Sequence, residues 1–286
     1  MDCVTTTPID LRAFSADLTL SEDGIWYGPG TSKLSYPTDG NDDCFAVEDH
    51  SFWFQHRNQC ITTIVRRFPP QHGAPIFDVG GGNGFVARGL EGAGFDVVLV
   101  EPGRSGAVNA KARGLRNVVC ATTVAANFKP GSLPAVGLFD VIEHIEDAVS
   151  FLASIRKQMT DGGRLYATVP AYQSLWSADD LVAGHFRRYD DASLRRVLTT
   201  AGFKVQFMSY IFRPLPLPIY LLRAVPFRLG WSAHRDTTRD PVKDHMVGRS
   251  RSPSLISLLL GSEKENLNSG RPMRFGSSCL AVATGT

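Results

Sequence analysis

Ile76-Phe77-Asp78-Val79-Gly80-Gly81-Gly82-Asn83-Gly84-Phe85 decides the fold, because an apolar strand runs straight into a glycine turn. Phe85-Val86-Ala87-Arg88-Gly89-Leu90 then starts a helix. Glycines at 80, 82 and 84 keep side chains away from a backbone that turns sharply and lets a ligand approach it. A strand, a glycine loop and a helix in this order cradle a nucleotide-type cofactor. A dinucleotide fingerprint of the G-x-G-x-x-G/A type, counted from Gly80 and Gly82, needs a small residue at 85 so that helix and strand can close on a pyrophosphate. Position 85 is Phe, which argues against a nicotinamide dinucleotide.

Outward from the loop, Phe95-Asp96-Val97-Val98-Leu99-Val100 reads as the next strand and ends on Glu101-Pro102-Gly103. A carboxylate at that point of an α/β sheet is placed to receive a ribose diol. Further on stands Leu138-Phe139-Asp140-Val141-Ile142-Glu143-His144-Ile145-Glu146-Asp147. Taken together, these stretches resemble the class I S-adenosylmethionine-dependent methyltransferases of the bacterial small-molecule type, over roughly residues 75 to 210. The resemblance implies S-adenosylmethionine as cofactor and S-adenosylhomocysteine as product. It implies that Asp78 and the backbone of Gly80, Gly82 and Gly84 hold the methionine end, while Glu101, followed by Pro102, accepts from both ribose hydroxyls. The adenine is expected against Cys120-Ala121-Thr122-Thr123, with Thr122 as the contact, and Asp140 beside the point where the methyl group emerges.

The core alternates as strand 75–79, helix 84–93, strand 96–101, helix 105–113, strand 116–120, strand 136–141, helix 147–160, strand 163–169, helix 191–201 and strand 203–211. Alternation of this kind means a Rossmann-like, doubly wound sheet with helices on both faces and its ligand crevice at the carboxyl ends of the strands. Ser278 to Ala283 reads as a final strand. In the family resembled it inserts antiparallel and makes the sheet seven-stranded. The expected divisions are an N-terminal arm at 1–46 and a cofactor-binding core with an aromatic-headed helix at 47–211. A lid insertion at 212–276 and a last core strand at 277–286 complete the chain.

The 286 residues, 43% of them hydrophobic, suffice for one large core with additions. Thirty basic and 28 acidic residues leave a net charge of +2, too balanced to advertise nucleic acid as a partner. Five cysteines at 3, 44, 60, 120 and 279 contain no C-x-x-C pair, so a disulfide framework and a zinc site lack support and a reducing cytoplasm fits best. The N-terminus lacks a secretory pattern, and no apolar run reaches the length of a bilayer span. Ile211 to Leu229 is apolar but is broken by four prolines and carries Arg213, Arg223 and Arg228. It reads as a lid or a surface-associating element.

His144 and His185 are rival general bases, since imidazole titrates near neutrality. Tyr189 belongs to the same catalytic set. Tyr172, Trp176, Arg187 and Arg188 follow the strand at 163–169 and would line an acceptor pocket, the arginines receiving a carboxylate or phosphate. The segment Glu48 to Arg57 resembles the aromatic-plus-arginine entry helix of bacterial methyltransferases, which implies Arg57 near the methionine carboxylate and Trp53 or Phe54 walling the pocket. The acid-x-x-Glu-His order at Asp140 to His144 is similar to that of magnesium-using quinone-biosynthesis O-methyltransferases. Magnesium keeps most of its waters and needs substrate oxygens to complete such a site, so no metal is assigned. The expected activity is methyl transfer to O, N or C of a small-molecule metabolite in a biosynthetic pathway. A lipid-linked or polyprenyl acceptor, a non-catalytic binding platform and, least favoured, a nicotinamide oxidoreductase are the alternatives.

Overall fold

The computed structural model describes residues 9–29, 45, 47–231 and 255–286. Residues 1–8, 30–44 and 46 of the arm and 232–254 of the insertion lie outside the described residues. The strands are β1 (Thr19–Leu20), β2 (Trp26–Tyr27), β3 (Ile76–Val79), β4 (Val97–Val100), β5 (Asn117–Cys120), β6 (Leu133–Phe139), β7 (Met159–Pro170), β8 (Phe203–Ile211) and β9 (Ser278–Gly285). The longer helices are α1 (Phe52–Arg67), α2 (Phe85–Gly92), α3 (Arg104–Ala112), α4 (Ala148–Gln158), α5 (Asp191–Thr200) and α6 (Leu255–Asn268).

All nine strands join one sheet in the order β1, β2, β5, β4, β3, β6, β7, β9, β8. The run from β2 to β7 is parallel, and β9 lies antiparallel between β7 and β8. The expected seven strands are therefore present and two more are added. The arm supplies them: Trp26 and Tyr27 pair with Val119 and Cys120, covering an edge of β5 that would otherwise expose unpaired amides and carbonyls. Further ties come from Asn117 Oδ1, which accepts the Ile9 amide at 3.0 Å, and from Ser15, whose hydroxyl donates to Ala126 O at 2.6 Å.

Strand periodicity divides the core into two layers. Phe77, Val79, Val98 and Val100 face α4 and α5 through Leu152, Ile155, Leu194 and Leu198. Ile76, Val97 and Leu99 face α1 and α2 through Ile61, Ile64, Val86 and Leu90. Asp78 has the parity of Ile76, so its carboxylate enters the layer beneath α1. The chain runs outward from β3 through β4 to β5 and then crosses back to β6. The crevice at that reversal opens between the carboxyl ends of β3 and β6. β6 stops at Phe139 rather than running to 141: Asp140 still donates its amide to Thr168 O at 2.9 Å, but its φ of +58° turns the chain out of the strand there. Among the described residues, no helix is long and apolar enough to cross a membrane.

Candidate active site

Gly80, Gly82 and Gly84 have φ of +71°, +54° and +76°, the left-handed region in which a side chain is strained. A Cβ on Gly80 would also lie 2.8 Å from Val141 Cγ2, so the turn leaves room for nothing larger than glycine. Glu101, at the end of β4, fastens this loop. Its Oε2 accepts the Gly82 amide at 2.9 Å and its Oε1 accepts the Gly103 amide at 2.7 Å. On its outer side the loop is braced by Arg113, which donates from Nε to Asn83 O at 3.1 Å and pairs with Glu48 at 2.8 Å.

Asp78 is fully buried, and among the described residues neither of its oxygens has a hydrogen-bond partner within normal geometry. Burial pushes its carboxyl up to about 7, with the nearby Arg57 guanidinium pulling it back and the Glu101 carboxylate adding to the rise. Arg57, from α1, meets Asp140 with Nε 2.6 Å from Oδ2. The other oxygen of Asp140 accepts the Thr168 hydroxyl at 2.9 Å. Trp53, one helical turn before Arg57, lies 5.5 Å from its guanidinium and stacks flat on Phe212 at 5.3 Å.

Beyond Asp140, Glu143 is buried with both oxygens unpartnered among the described residues, and burial first, then the Asp140 charge, holds its carboxyl well above the usual range. His144 packs edge-on against His185 with ring centroids 4.7 Å apart. Burial, aided by repulsion from His185, lowers His144 to about 4, so it is neutral at pH 7. His185 Nδ1 stands 2.8 Å from Asp180 Oδ1. Although burial pushes Asp180 up, its bonds to His185 and Arg188 hold it below the ordinary carboxylate value.

With this geometry established, sequence comparison settles the family: residues 52–206 match the family described as Methyltransferase domain. The chain belongs to the methyltransferases. Its sheet order and glycine loop are those of the class I, S-adenosylmethionine-dependent kind. No curated protein matches it in sequence. Among solved structures it is similar to Haemonchus contortus phosphoethanolamine N-methyltransferase 2 in complex with S-adenosyl-L-methionine. That match has 17% identity and a TM-score of 0.54, and covers 88% of this chain and 58% of that one. It is also similar to a Thermotoga maritima SAM-dependent methyltransferase, with 14% identity, a TM-score of 0.53 and coverage of 87% of this chain and 100% of that one. The cyclase SpnF gives 14% identity and a TM-score of 0.53, covering 89% of this chain and 98% of that one. At such identities the likeness is one of fold.

The methyltransferase brings Asp78, the three glycines, Glu101, Arg57, Asp140 and Trp53 to one crevice, and His144, His185 and Arg188 to its β6 side. Pro102 is half-buried behind Glu101. Thr122 caps the short helix Thr123–Ala126, its Oγ1 accepting the Ala125 amide at 3.0 Å. Arg187 donates to Glu146 O at 2.6 Å, and Arg188 donates from Nε to Asp180 Oδ1 at 2.7 Å. Tyr172, at φ +56°, stacks on Tyr210, while half-buried Trp176 closes the turn Gln173–Leu175. Tyr189 is buried, its hydroxyl has no partner among the described residues, and burial pushes it up to about 12.

The neighbouring acids Asp179 and Asp180 have different partners. Asp179 pairs with Arg223, whereas Asp180 closes a capping box with Ser177 and holds His185. The Ser177-x-x-Asp180 spacing announces the cap but not the partner. Glu143, His144 and His185 present ligand atoms within 4.8 Å of one another. Two imidazoles and one carboxylate form a donor set of zinc or iron type, and magnesium takes oxygen.

Proposed function

We propose that this chain transfers a methyl group from S-adenosylmethionine to a hydroxyl or amine of a small-molecule acceptor, with the His185 pair as its proton-accepting device. The observation that carries the reading is Asp78, a buried carboxylate packed against the glycine turn and without a hydrogen-bond partner among the described residues. Such a group is costly unless a cationic donor arrives, and the ammonium of the methionine moiety is one. Glu101, a carboxylate with two acceptor oxygens at the end of β4, would take the ribose diol, with Pro102 fixing the turn behind it. Gly80, Gly82 and Gly84 would let the backbone approach the ligand, Arg57 would meet the methionine carboxylate, and Thr122 would edge the adenine. S-adenosylmethionine brings a methyl group already activated by its sulfonium.

The protein's remaining work is alignment, exclusion of water and removal of one proton. His185 suits that last task because ionised Asp180 fixes the proton on Nδ1 and leaves the Nε2 lone pair outward. His144, neutral at pH 7, would pack beside it without competing charge, and Tyr189 would supply a hydroxyl to the same space. Trp53, Tyr172 and Trp176 would wall the acceptor, and Arg187 and Arg188 would set the charge at its rim. Calorimetric titration with S-adenosylhomocysteine and, separately, NAD tests the reading. Binding of the first alone, lost in Asp78→Ala and Glu101→Ala, supports it. No binding of S-adenosylhomocysteine moves the weight to a platform protein on the same fold.

A further inference from the structure

β8 runs parallel to β7, since both lie antiparallel to β9. Arg213, just past the end of β8, and residues 271–275, just before β9, therefore stand at the carboxyl edge of the sheet, on the side where the crevice opens. Together with Asn266 of α6 they line an open cavity of about 310 Å³, a size at which small-molecule sites begin. Its lining holds three arginines, Arg213, Arg271 and Arg274, and no acid. Among the described residues none of these guanidiniums meets a carboxylate. Glu263, whose Oε1 accepts the Arg213 amide at 2.6 Å, is fully buried and engaged by that amide, the Phe212 amide and His56. Arg187 and Arg188, by contrast, already donate to Glu146 O and Asp180.

The backbone that carries these arginines is fixed by its own bonds. The Arg271 amide donates to Asn266 O at 2.8 Å, the Met273 amide donates to Ser209 Oγ at 3.0 Å, and Met273 O accepts the Tyr210 amide at 3.2 Å. The Arg213 guanidinium lies over the Phe275 ring, 4.9 Å from its centroid. Stacking occupies the face of the guanidinium and leaves its in-plane N–H groups for an acceptor. Three positive charges exceed what a carboxylate, with one charge and two oxygens, can use, whereas a phosphate monoester brings three terminal oxygens and nearly two charges. We propose that this cavity holds the phosphoryl group of a phosphate monoester. Arg213 follows directly on Phe212, whose ring stacks on Trp53. Resting in this one respect on the proposed function, the monoester is the methyl acceptor itself, anchored here by its phosphoryl end while its reacting atom enters the crevice.

The test is calorimetric titration of the full chain with phenyl phosphate, at low and high salt. Acetate and dimethyl phosphate are the controls, the second standing for the diester of lipid headgroups and nucleic acids. Phenyl phosphate is expected to bind about tenfold or more tightly than either control, and its binding should weaken with salt. Arg271→Gln/Arg274→Gln and, separately, Arg213→Gln should each weaken it about tenfold or more. The double variant should keep the wild-type melting temperature and S-adenosylhomocysteine affinity. Absence of phenyl phosphate binding by the unaltered chain, equally tight binding of acetate or dimethyl phosphate, or unchanged binding in the variants overturns the proposal. Because phenyl phosphate binding is read without cofactor, its outcome is separate from that of the cofactor titration.

Discussion

Asp180 Oδ1 lies 2.8 Å from His185 Nδ1 and 2.7 Å from Arg188 Nε, so one buried carboxylate both orients an imidazole and is itself held by a guanidinium. An ionised acceptor at Nδ1 selects a single tautomer, the one with its lone pair on Nε2. Asp180→Asn removes the charge and lets the amide donate, which favours the opposite tautomer. We expect kcat to fall about 10²- to 10⁴-fold with S-adenosylhomocysteine affinity unchanged. His185→Ala should produce a loss of similar size, and the double variant should be no worse than either single one. Additive losses in the double variant would show that the two residues do not act as a unit.

Asp78 gives a pH dependence whose sign follows from its burial. The carboxyl titrates near 7 in the folded chain against an ordinary value of 3.8, so between those values the unfolded chain releases its proton first. The folded form is therefore favoured below about pH 4 and loses that advantage as pH rises through 7, by an amount on the order of 4 kcal/mol. Asp78→Asn has no proton to lose. Without cofactor it should melt at the wild-type temperature at pH 4 and several degrees above it at pH 8, and it should bind S-adenosylhomocysteine at least about tenfold more weakly. A variant less stable than wild type at pH 8 would refute the account of Asp78 as an unsatisfied charge.

Glu101 joins two turns before any ligand arrives, since each of its oxygens accepts one backbone amide. Glu101→Gln can satisfy one of these and places an NH2 against the other. A stranded amide costs about 1–3 kcal/mol, so the variant should lose stability in the absence of cofactor as well as affinity in its presence. Circular-dichroism melts of the ligand-free variant check the first part, and an unchanged melting temperature would confine Glu101 to ligand contact.

Chelation separates the proton-accepting reading of the histidine pair from a metal-based one. Glu143, His144 and His185 lie close enough to share an ion, but the His185 pair needs none to accept a proton. Prolonged treatment with a strong chelator should leave the turnover rate unchanged. Loss of activity that zinc restores would transfer these residues to a metal site.

The sheet and its crevice were legible because each rests on local signals: the glycine spacing at 80, 82 and 84, the strand that ends on Glu101, the alternation of apolar runs. The two added strands were not, since Thr19–Leu20 and Trp26–Tyr27 are two residues long and owe their state to the edge of β5, far away in sequence. The Arg57–Asp140 pair spans 83 positions and that of Arg113 with Glu48 spans 65. Only tertiary packing makes either. Asp180 shows the limit most sharply, for its capping spacing is local while its partner is chosen by how the loop folds back on Glu143, whose carbonyl accepts the Phe186 amide at 2.8 Å.

Glu263 is the other contact that sequence conceals, and it couples α6 to the crevice. Its Oε2 meets His56 Nε2 at 2.9 Å and the Phe212 amide at 2.8 Å, its Oε1 accepts the Arg213 amide at 2.6 Å, and the side chain is fully buried. Phe212, held at φ +62° by these bonds, is the ring on which Trp53 stacks, one turn from Arg57. Glu263→Leu keeps the volume and removes every acceptor, stranding His56 and two amides at a cost of about 3–5 kcal/mol. The melting temperature should drop by about 5 °C or more, and S-adenosylhomocysteine affinity should weaken as Phe212 releases Trp53 and Arg57. Glu263→Gln, which retains one acceptor, should fall between the two. If Glu263→Leu lowers stability but leaves cofactor affinity at the wild-type value, α6 braces the fold without reaching the site through Phe212.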